Sequence, residues 1–567
     1  MYFANVGVVA AANRHPTARA VSRPSIHLLV SPIILSRLIV WIAFLSQIFV
    51  AWRFWHVSWD DSAITLGFAR TFALTGRIEP TPGSGIVEGY STTLWMLLMT
   101  AAAKFFVSPS ALLAAAKIST LLCNLANILL LRSWFRSWTG ELLANLIVGV
   151  TGCSLMFYET INGMEAPLML TLLCVMLLLL ASPSRSARLG YLLAGSAFLL
   201  VRWEAIWLLI PFLLVESRRS KAFGSALTWI SVFAASNLVR WLYFGYLLPN
   251  TIIAKRGEPY STIHHLEVHR HLNEPLTILS FCAPLLCVTF LVLLQKRYAS
   301  PNWTSLIASR YRSVSSLWQF RFTVLFVLFS LVLSTAIGKN YGPPVRSFYC
   351  GWPFLLCLIL IPIILNLTSR LLAWATLFVC LFSLTHLVLF VRELNRKDAP
   401  VYMPYITIDY VARMNNLLAR IQSLSHRSQL VYAGPDMGGI LLYSNGIQVI
   451  DLGRLCDATL AHQRYQAINS YVLQKRRPDV IEVHEIWTTL TRLQEYPLFI
   501  NGYRPVFVDK KRLFLRNDLL QQIDATHLIK RRFRSDGHPI DPELDSPGYP
   551  SPDLLLNQRF GSYLILH

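Results

Sequence analysis

The first two thirds of the chain alternate between long apolar segments and short polar stretches, and a more polar region follows. A helix needs roughly 20 apolar residues to cross a bilayer, and about 10 to 12 segments approach that length. One of them, 189–215, is interrupted by Arg202 and Glu204, which predicts two half-helices instead of one span. The segments are 28–52, 91–107, 110–131, 141–157, 165–182, 189–215, 223–246, 275–294, 321–338, 347–366 and 371–391.

The composition agrees with a membrane protein. Of the 567 residues, 54% are hydrophobic and only 14% are charged, and the mean hydropathy is +0.47. Soluble domains carry about 25% charged residues. We therefore predict a polytopic α-helical membrane protein with a cytoplasmic tail over residues 1–27, a transmembrane domain over 28–392 and a periplasmic α/β domain over 393–567.

The net charge of +21 does not indicate a nucleic-acid partner. The basic residues fall in short clusters between apolar segments, which is typical of cytoplasmic loops of membrane proteins. With the clusters around Arg188 and Arg218 inside, and the N-terminus inside as well, the loop 53–90 and the C-terminal region lie outside. This orientation requires that one early segment does not cross, and we favour 91–107 as a surface or re-entrant segment.

The polar region has the pattern of a small α/β domain. Residues 405–422 have helical apolar spacing, and 429–434, 448–453 and 479–483 are short apolar runs typical of buried strands. Residues 504–515 alternate as the strands of a hairpin do. The turn that ends the first strand contains Pro435, which lacks a backbone donor, so a turn feeding a helix is favoured there over a dinucleotide-binding loop.

The candidate catalytic residues are carboxylates in the loop 53–90. Asp60 and Asp61 follow the first apolar segment, and Glu88 precedes the second. Carboxylates at a membrane surface are costly and usually functional. They can activate an acceptor hydroxyl or stabilise positive charge at an anomeric carbon, and an adjacent pair titrates as a coupled unit. The alternative for Asp60 and Asp61 is capping of a helix N-terminus.

Further residues could bind a phosphate or a sugar on the same side of the membrane. Lys255 and Arg346 could hold a phosphate, although a snorkelling arginine is the alternative for Arg346. Glu165 is an acid in an apolar setting without a partner nearby in sequence. The candidates for donor binding are Tyr90, Asn250, Lys255, Arg346 and Glu165.

No metal or cofactor is established by the sequence. No pair of cysteines at CxxC spacing is accompanied by histidines, so a zinc site is not expected. A divalent cation at the carboxylates is left open.

The motifs resemble those of a known family. Asp60-Asp61 after the first helix resembles the acidic motif of the GT-C glycosyltransferases, which use polyprenyl-phosphate sugars. More narrowly, the chain resembles the family of the mycobacterial terminal β-(1→2) arabinofuranosyltransferase. The motifs that carry this resemblance are Asp60-Asp61 with Glu88 to Trp95, Gly163 to Pro167, Pro249-Asn250-Thr251 with Lys255, and Pro478 to Ile481.

The resemblance implies a polyprenyl-phosphate-sugar-dependent glycosyltransferase in the bacterial inner membrane. Its donor would be decaprenyl-phosphate arabinofuranose or a related lipid-linked sugar, and its acceptor a cell-envelope glycan. A β donor and a β product imply retention of configuration, so Asp60 or Asp61 could be a nucleophile, an ion-pair stabiliser or a metal ligand instead of a base. A flippase for lipid-linked sugars and a protein O-glycosyltransferase are the alternatives.

Overall fold

The structure is a computed structural model. It describes residues 31–154, 156–217, 222–256, 270–299, 317–337, 348–367, 369–395, 407–483, 491–544 and 552–566.

Fifteen helices form the described part of the apolar region. Several begin with a proline in the first turn, where the missing N–H has no intrahelical partner in any case. The helices are α1 (Pro32–Arg53), α2 (Asp60–Thr75), α3 (Thr93–Ala103), α4 (Pro109–Thr139), α5 (Glu141–Gly152), α6 (Met156–Asn162), α7 (Ala166–Ala181), α8 (Arg185–Val201), α9 (Ala205–Glu216), α10 (Ala222–Phe244), α11 (Asn250–Arg256), α12 (Arg270–Ala299), α13 (Trp318–Ile337), α14 (Trp352–Asn366) and α15 (Ser369–Leu394).

The length and composition of the helices confirm the prediction of a polytopic helical protein. Within the described residues, six helices are long and apolar enough to cross a membrane, and five shorter ones are apolar. Their outward faces carry large apolar side chains such as Trp41, Trp52 and Phe223, which are 63%, 73% and 80% exposed. Such faces are costly in water and suit a hydrocarbon solvent.

Two details of the predicted segments can be compared with the helices. The segment 189–215 forms two helices, α8 and α9, which are separated at residues 202–204 as predicted. The segment 91–107 forms only the 11-residue α3. At 1.5 Å per residue this helix is about 16 Å long, roughly half the hydrocarbon thickness. That this segment does not cross the membrane stays a prediction.

The C-terminal region is an α/β structure around a seven-stranded sheet. The strand order is β2-β1-β3-β5-β4-β7-β6, with β1 parallel to both β2 and β3. The strands are β1 (Leu430–Gly434), β2 (Ile447–Asp451), β3 (Val480–Ile481), β4 (Tyr503–Val508), β5 (Lys511–Arg516), β6 (Leu528–Arg532) and β7 (Ser562–Leu566). The α-helices are α16 (Ile408–Leu424), α17 (Gly438–Tyr443), α18 (Ala458–Gln463), α19 (Pro497–Gly502), α20 (Asn517–Leu520) and α21 (Pro552–Phe560).

The predicted strands of this region are confirmed, with changed lengths. The predicted hairpin corresponds to β4 and β5, which pair antiparallel. The predicted third strand is shorter than expected, because only Val480 and Ile481 pair with β1. The turn after β1 feeds the short helix α17, as the sequence indicates.

One core joins the acidic loop to the α/β region. The segment 53–90 contains the helix α2, whose buried residues include Leu66 and Phe68. They share a hydrophobic cluster with Leu441 of α17 and Val449 of β2. An alanine Cβ at Gly67 would lie 2.5 Å from the Leu441 Cβ, so only glycine permits this approach of α2 to α17. The acidic turn therefore lies where the apolar helices meet the sheet region.

Candidate active site at the junction of the helices and the sheet

Asp60 begins α2 and is bound by the α/β region. The backbone N–H of Gly438 donates to one carboxylate oxygen at 2.7 Å, and that of Gly439 donates to the other at 2.6 Å. Asp60 is only 7% exposed. Burial raises its pKa well above the usual value, and Asp436 and Asp61 add to the rise, while the two amide donors oppose it. The side chain thus caps α17, a helix distant in sequence.

Replacing Gly438 with Ala is expected to separate these two elements. A Cβ at this position would lie 1.9 Å from the Asp60 carbonyl oxygen, which is backbone and cannot rotate away. We expect a loss of about 2 kcal/mol or more in the free energy of unfolding, measured by thermal unfolding in detergent. Gly224→Ala is the matched control, because its Cβ meets nothing within 4 Å. Equal melting temperatures for the two variants would contradict the close contact.

Asp61 lies on the same turn but is half-buried. The turn is fixed by two hydrogen bonds to the end of α6: the Ser58 hydroxyl donates to the Ile161 carbonyl at 3.1 Å, and the Trp59 N–H donates to the Asn162 side-chain oxygen at 3.4 Å. The structure therefore places the first motif beside the start of the second, Gly163 to Pro167.

Glu165 has a partner that is remote in sequence from it. It is 1% exposed at the start of α7, and Arg202 donates to it at 2.7 Å. Arg202 also donates to Glu204 at 2.6 Å. The arginine lies in the break between α8 and α9, where two acids share its charge. A role of Glu165 in donor binding stays a prediction, and its observed contact is this ion pair.

Lys117 is a residue of the site that is not among the candidates chosen from the sequence. It lies in α4 and is 2% exposed. Its ammonium group donates to the Trp55 carbonyl and, at 2.9 Å, to the Val57 carbonyl. A lysine within an apolar helix is a signal for such a role, because its charge must find a partner there. Lys117 holds the chain immediately before Ser58 and thereby positions the acidic turn.

Glu88 and Tyr90 are buried in packing contacts. Arg240 of α10 donates to Glu88 at 2.6 Å, and both side chains are less than a tenth exposed. Burial raises the pKa of Glu88, and the Arg240 contact opposes this rise. The Tyr90 ring packs edge-to-face on Phe68, with the centroids 5.3 Å apart. The structure does not show either residue on an open surface, and their proposed roles stay predictions.

Asn250 connects α11 to the α/β region. Its side-chain amide donates to the carbonyls of Arg454 at 2.9 Å and Leu455 at 2.7 Å. Arg454 in turn donates to the Ala254 carbonyl at 2.8 Å. Lys255 lies half-buried in the last turn of α11. Asn250 therefore joins two parts of the fold.

Two predictions from the sequence remain: Arg346 as a phosphate ligand, and a divalent cation at the carboxylates. Arg346 lies outside the described residues. Among the residues that are described, no group of three or more His, Cys, Asp or Glu is arranged to hold a metal ion.

The buried acid Asp451 is expected to make the stability of this junction depend on pH. It ends β2 and accepts N–H groups of Gly453 at 2.8 Å and Cys456 at 2.7 Å. Burial raises its pKa to about 7. The folded protein then holds a proton that the unfolded chain loses near pH 3.9. Stability should therefore fall as the pH rises from about 4 to 7 and level off above.

The measurement is the melting temperature of the purified protein between pH 4 and pH 8, compared with Asp451→Asn. The variant carries no proton at this position to lose, so its melting temperature should fall less over the same interval. A variant that falls as steeply as the wild type would assign the pH dependence to other groups.

Comparisons with known proteins give no family. No family model matches the chain, and no curated protein sequence matches it. The chain aligns with two crystal structures of ArnT from Cupriavidus metallidurans. The structure bound to undecaprenyl phosphate has a TM-score of 0.42 and 14% identity, over 78% of this chain and 92% of that one. The apo structure has a TM-score of 0.42 and 12% identity, over 79% and 92%. At these values the alignment assigns no activity to the chain.

Proposed function

We propose that the chain is a membrane glycosyltransferase of GT-C type that transfers a sugar from a polyprenyl phosphate to a cell-envelope glycan. One observation carries the proposal: the Asp60–Asp61 turn lies at the junction of an apolar helical region and a polar α/β region. A lipid-linked sugar has both characters, since its chain belongs in hydrocarbon and its head group in water. A carboxylate at this junction can reach the bond between them.

Asp61 is the acid that we assign to the reaction. Both oxygens of Asp60 accept backbone N–H groups, so Asp60 holds the turn, while Asp61 is the more exposed of the two. Asp61 would stabilise positive charge at the anomeric carbon as the carbon–oxygen bond to phosphate breaks and its electrons leave with the phosphate. The hydroxyl oxygen of the acceptor would form the new bond to that carbon, and the hydroxyl proton would pass to the departing phosphate. Lys255 and Arg346 are our candidates for holding that phosphate.

The proposed sugar is a pentofuranose, because the four motifs resemble those of the arabinofuranosyltransferase family. The proposed location is the bacterial inner membrane, with the C-terminal region on the periplasmic side.

The test is transfer in a purified system. The protein, reconstituted in nanodiscs, is given decaprenyl-phosphate arabinofuranose and an arabinan oligosaccharide, and elongation is followed by mass spectrometry. We expect addition of one pentose per turnover. Absence of elongation with pentosyl and hexosyl donors alike, in protein that melts cooperatively, would overturn the proposal.

A flippase for lipid-linked sugars is the second candidate. The observation that favours it is the break between α8 and α9, where Arg202 lies between two acids, since transporters place charged groups at discontinuous helices. Movement of a labelled lipid-linked sugar across a proteoliposome membrane, without elongation of any glycan, would favour this candidate over transfer.

A further inference from the structure

The α/β region contains a cleft that the residues assigned so far do not explain. It has a volume of about 340 Å³, within the range of small-molecule sites. Apolar residues of α16 form one wall, and charged residues of both signs surround it. The lining comprises Val411, Arg413, Met414, Asn416, Leu417, Asp436, Glu482, Asp509 and Lys511.

The cleft lies at the position in the sheet where ligands bind in open α/β folds. β1 and β3 are parallel neighbours, and β2 lies on the other side of β1. The chain leaving β1 turns towards β2, whereas the strands after β3 lie on the opposite side. Ligands favour such a switch point, beyond the carboxyl ends of the strands. Asp436 follows β1 and Glu482 follows β3, so both lie at this edge.

The acid at the base of the cleft is held in place. Glu482 is 5% exposed. The Tyr432 hydroxyl donates to one of its oxygens, and the Lys511 ammonium group lies 2.6 Å from the other. At the rim, Asp509 is paired with Arg420 at 2.8 Å. The cleft therefore offers fixed acceptors beside ammonium and guanidinium donors, over an apolar wall.

This lining disfavours a phosphate. The two amides at the start of α17 that could cradle an anion already donate to Asp60. Three carboxylates, those of Asp436, Glu482 and Asp509, outnumber the two cations of the lining, and like charges in contact are costly. Hydroxyl groups are favoured instead, because carboxylates accept from them and ammonium or guanidinium groups donate to them.

The cleft is adjacent to the acidic turn. Asp436 is close enough to Asp60 to raise the pKa of that carboxyl. Only Met437 separates Asp436 from Gly438, which donates to Asp60. A chain of sugars that occupies the cleft could thus extend towards Asp61.

We propose that this cleft binds the acceptor, an uncharged polyhydroxylated glycan, and presents its end to the Asp60–Asp61 turn. The proposal rests on the proposed function, because it is the transfer reaction that gives the bound glycan the role of acceptor. The binding itself requires no donor and can be measured alone.

The experiment measures binding of fluorescent arabinofuranosyl and mannosyl hexasaccharides to the full-length protein in nanodiscs, without donor. ATP and an oligogalacturonate are the anionic comparators. We expect saturable binding of at least one uncharged glycan, and a Kd at least tenfold higher for Asp436→Asn and Asp509→Asn. The matched control is Asp536→Asn, an exposed acid outside the cleft, which should bind as the wild type does.

The outcomes separate this proposal from the proposed function. Glycan binding that is weakened by the two cleft variants supports the site, even if no donor is turned over. Binding that both variants leave unchanged, absence of glycan binding, or tighter binding of ATP would overturn the site. Transfer with an unaltered KM for the acceptor in both variants would overturn the site and leave the transferase intact.

Discussion

Asp61→Asn is expected to reduce sugar transfer by about 10²–10³-fold, the range for removing one group that stabilises charge in the transition state, without lowering the melting temperature. Asn has nearly the same shape, and Asp61 is only half-buried. Asp60→Asn should behave differently. In this variant the side-chain NH₂ group would face a backbone N–H, so two donors would meet and a buried group would lose its acceptor. Such a loss costs about 1–3 kcal/mol, so the main effect of Asp60→Asn is on stability.

The measurement is kcat for transfer together with thermal unfolding on the same preparations. Asp536→Asn, exposed and distant in sequence, controls for loss of one negative charge. Should Asp61→Asn transfer at the wild-type rate, the assignment of Asp61 fails. Should Asp60→Asn abolish transfer at an unchanged melting temperature, Asp60 is the reacting acid and its contact with α17 is secondary.

The helices and strands could be predicted because each has a local pattern. The apolar run of α1 and the charged break between α8 and α9 are visible in the sequence alone. The strands β1 and β2 are short apolar runs bounded by turn residues. Local patterns fail at the segment 53–90, where the sequence predicts a loop. There α2 is stabilised by contact with α17, more than 360 residues away.

The partners of the site residues could not be predicted, since they are contacts between distant parts of the chain. Asp60 meets Gly438, Glu165 meets Arg202, and Glu88 meets Arg240 at separations of 378, 37 and 152 residues. The Asp60 side chain does cap a helix, but that helix is α17; at the start of α2 the N-cap is Trp59, and it makes no side-chain capping hydrogen bond. The sequence pattern identifies a charged residue in an apolar setting, whereas only the fold identifies the partner that compensates its charge.

Loss of the Arg240 side chain should be among the most destabilising single changes in the described region. It leaves the Glu88 carboxylate buried and without its cation. Breaking a buried pair from one side costs about 3–5 kcal/mol, whereas neutralising both partners is often tolerated. We expect Arg240→Met to lower the free energy of unfolding by that amount, and Arg240→Met with Glu88→Gln to recover most of it.

This cycle also decides what Glu88 does. If Glu88→Gln retains transfer while the double variant regains stability, Glu88 serves to bind α10 against the loop that precedes α3. If Glu88→Gln instead loses transfer at least 100-fold with little change in melting temperature, Glu88 acts on the substrate. The control variant is Glu216→Gln. Glu216 is buried and paired with Arg188 elsewhere in the helical region, so this variant should leave transfer unchanged. The two results exclude each other, because the same Glu88→Gln variant cannot both retain transfer and lose it 100-fold.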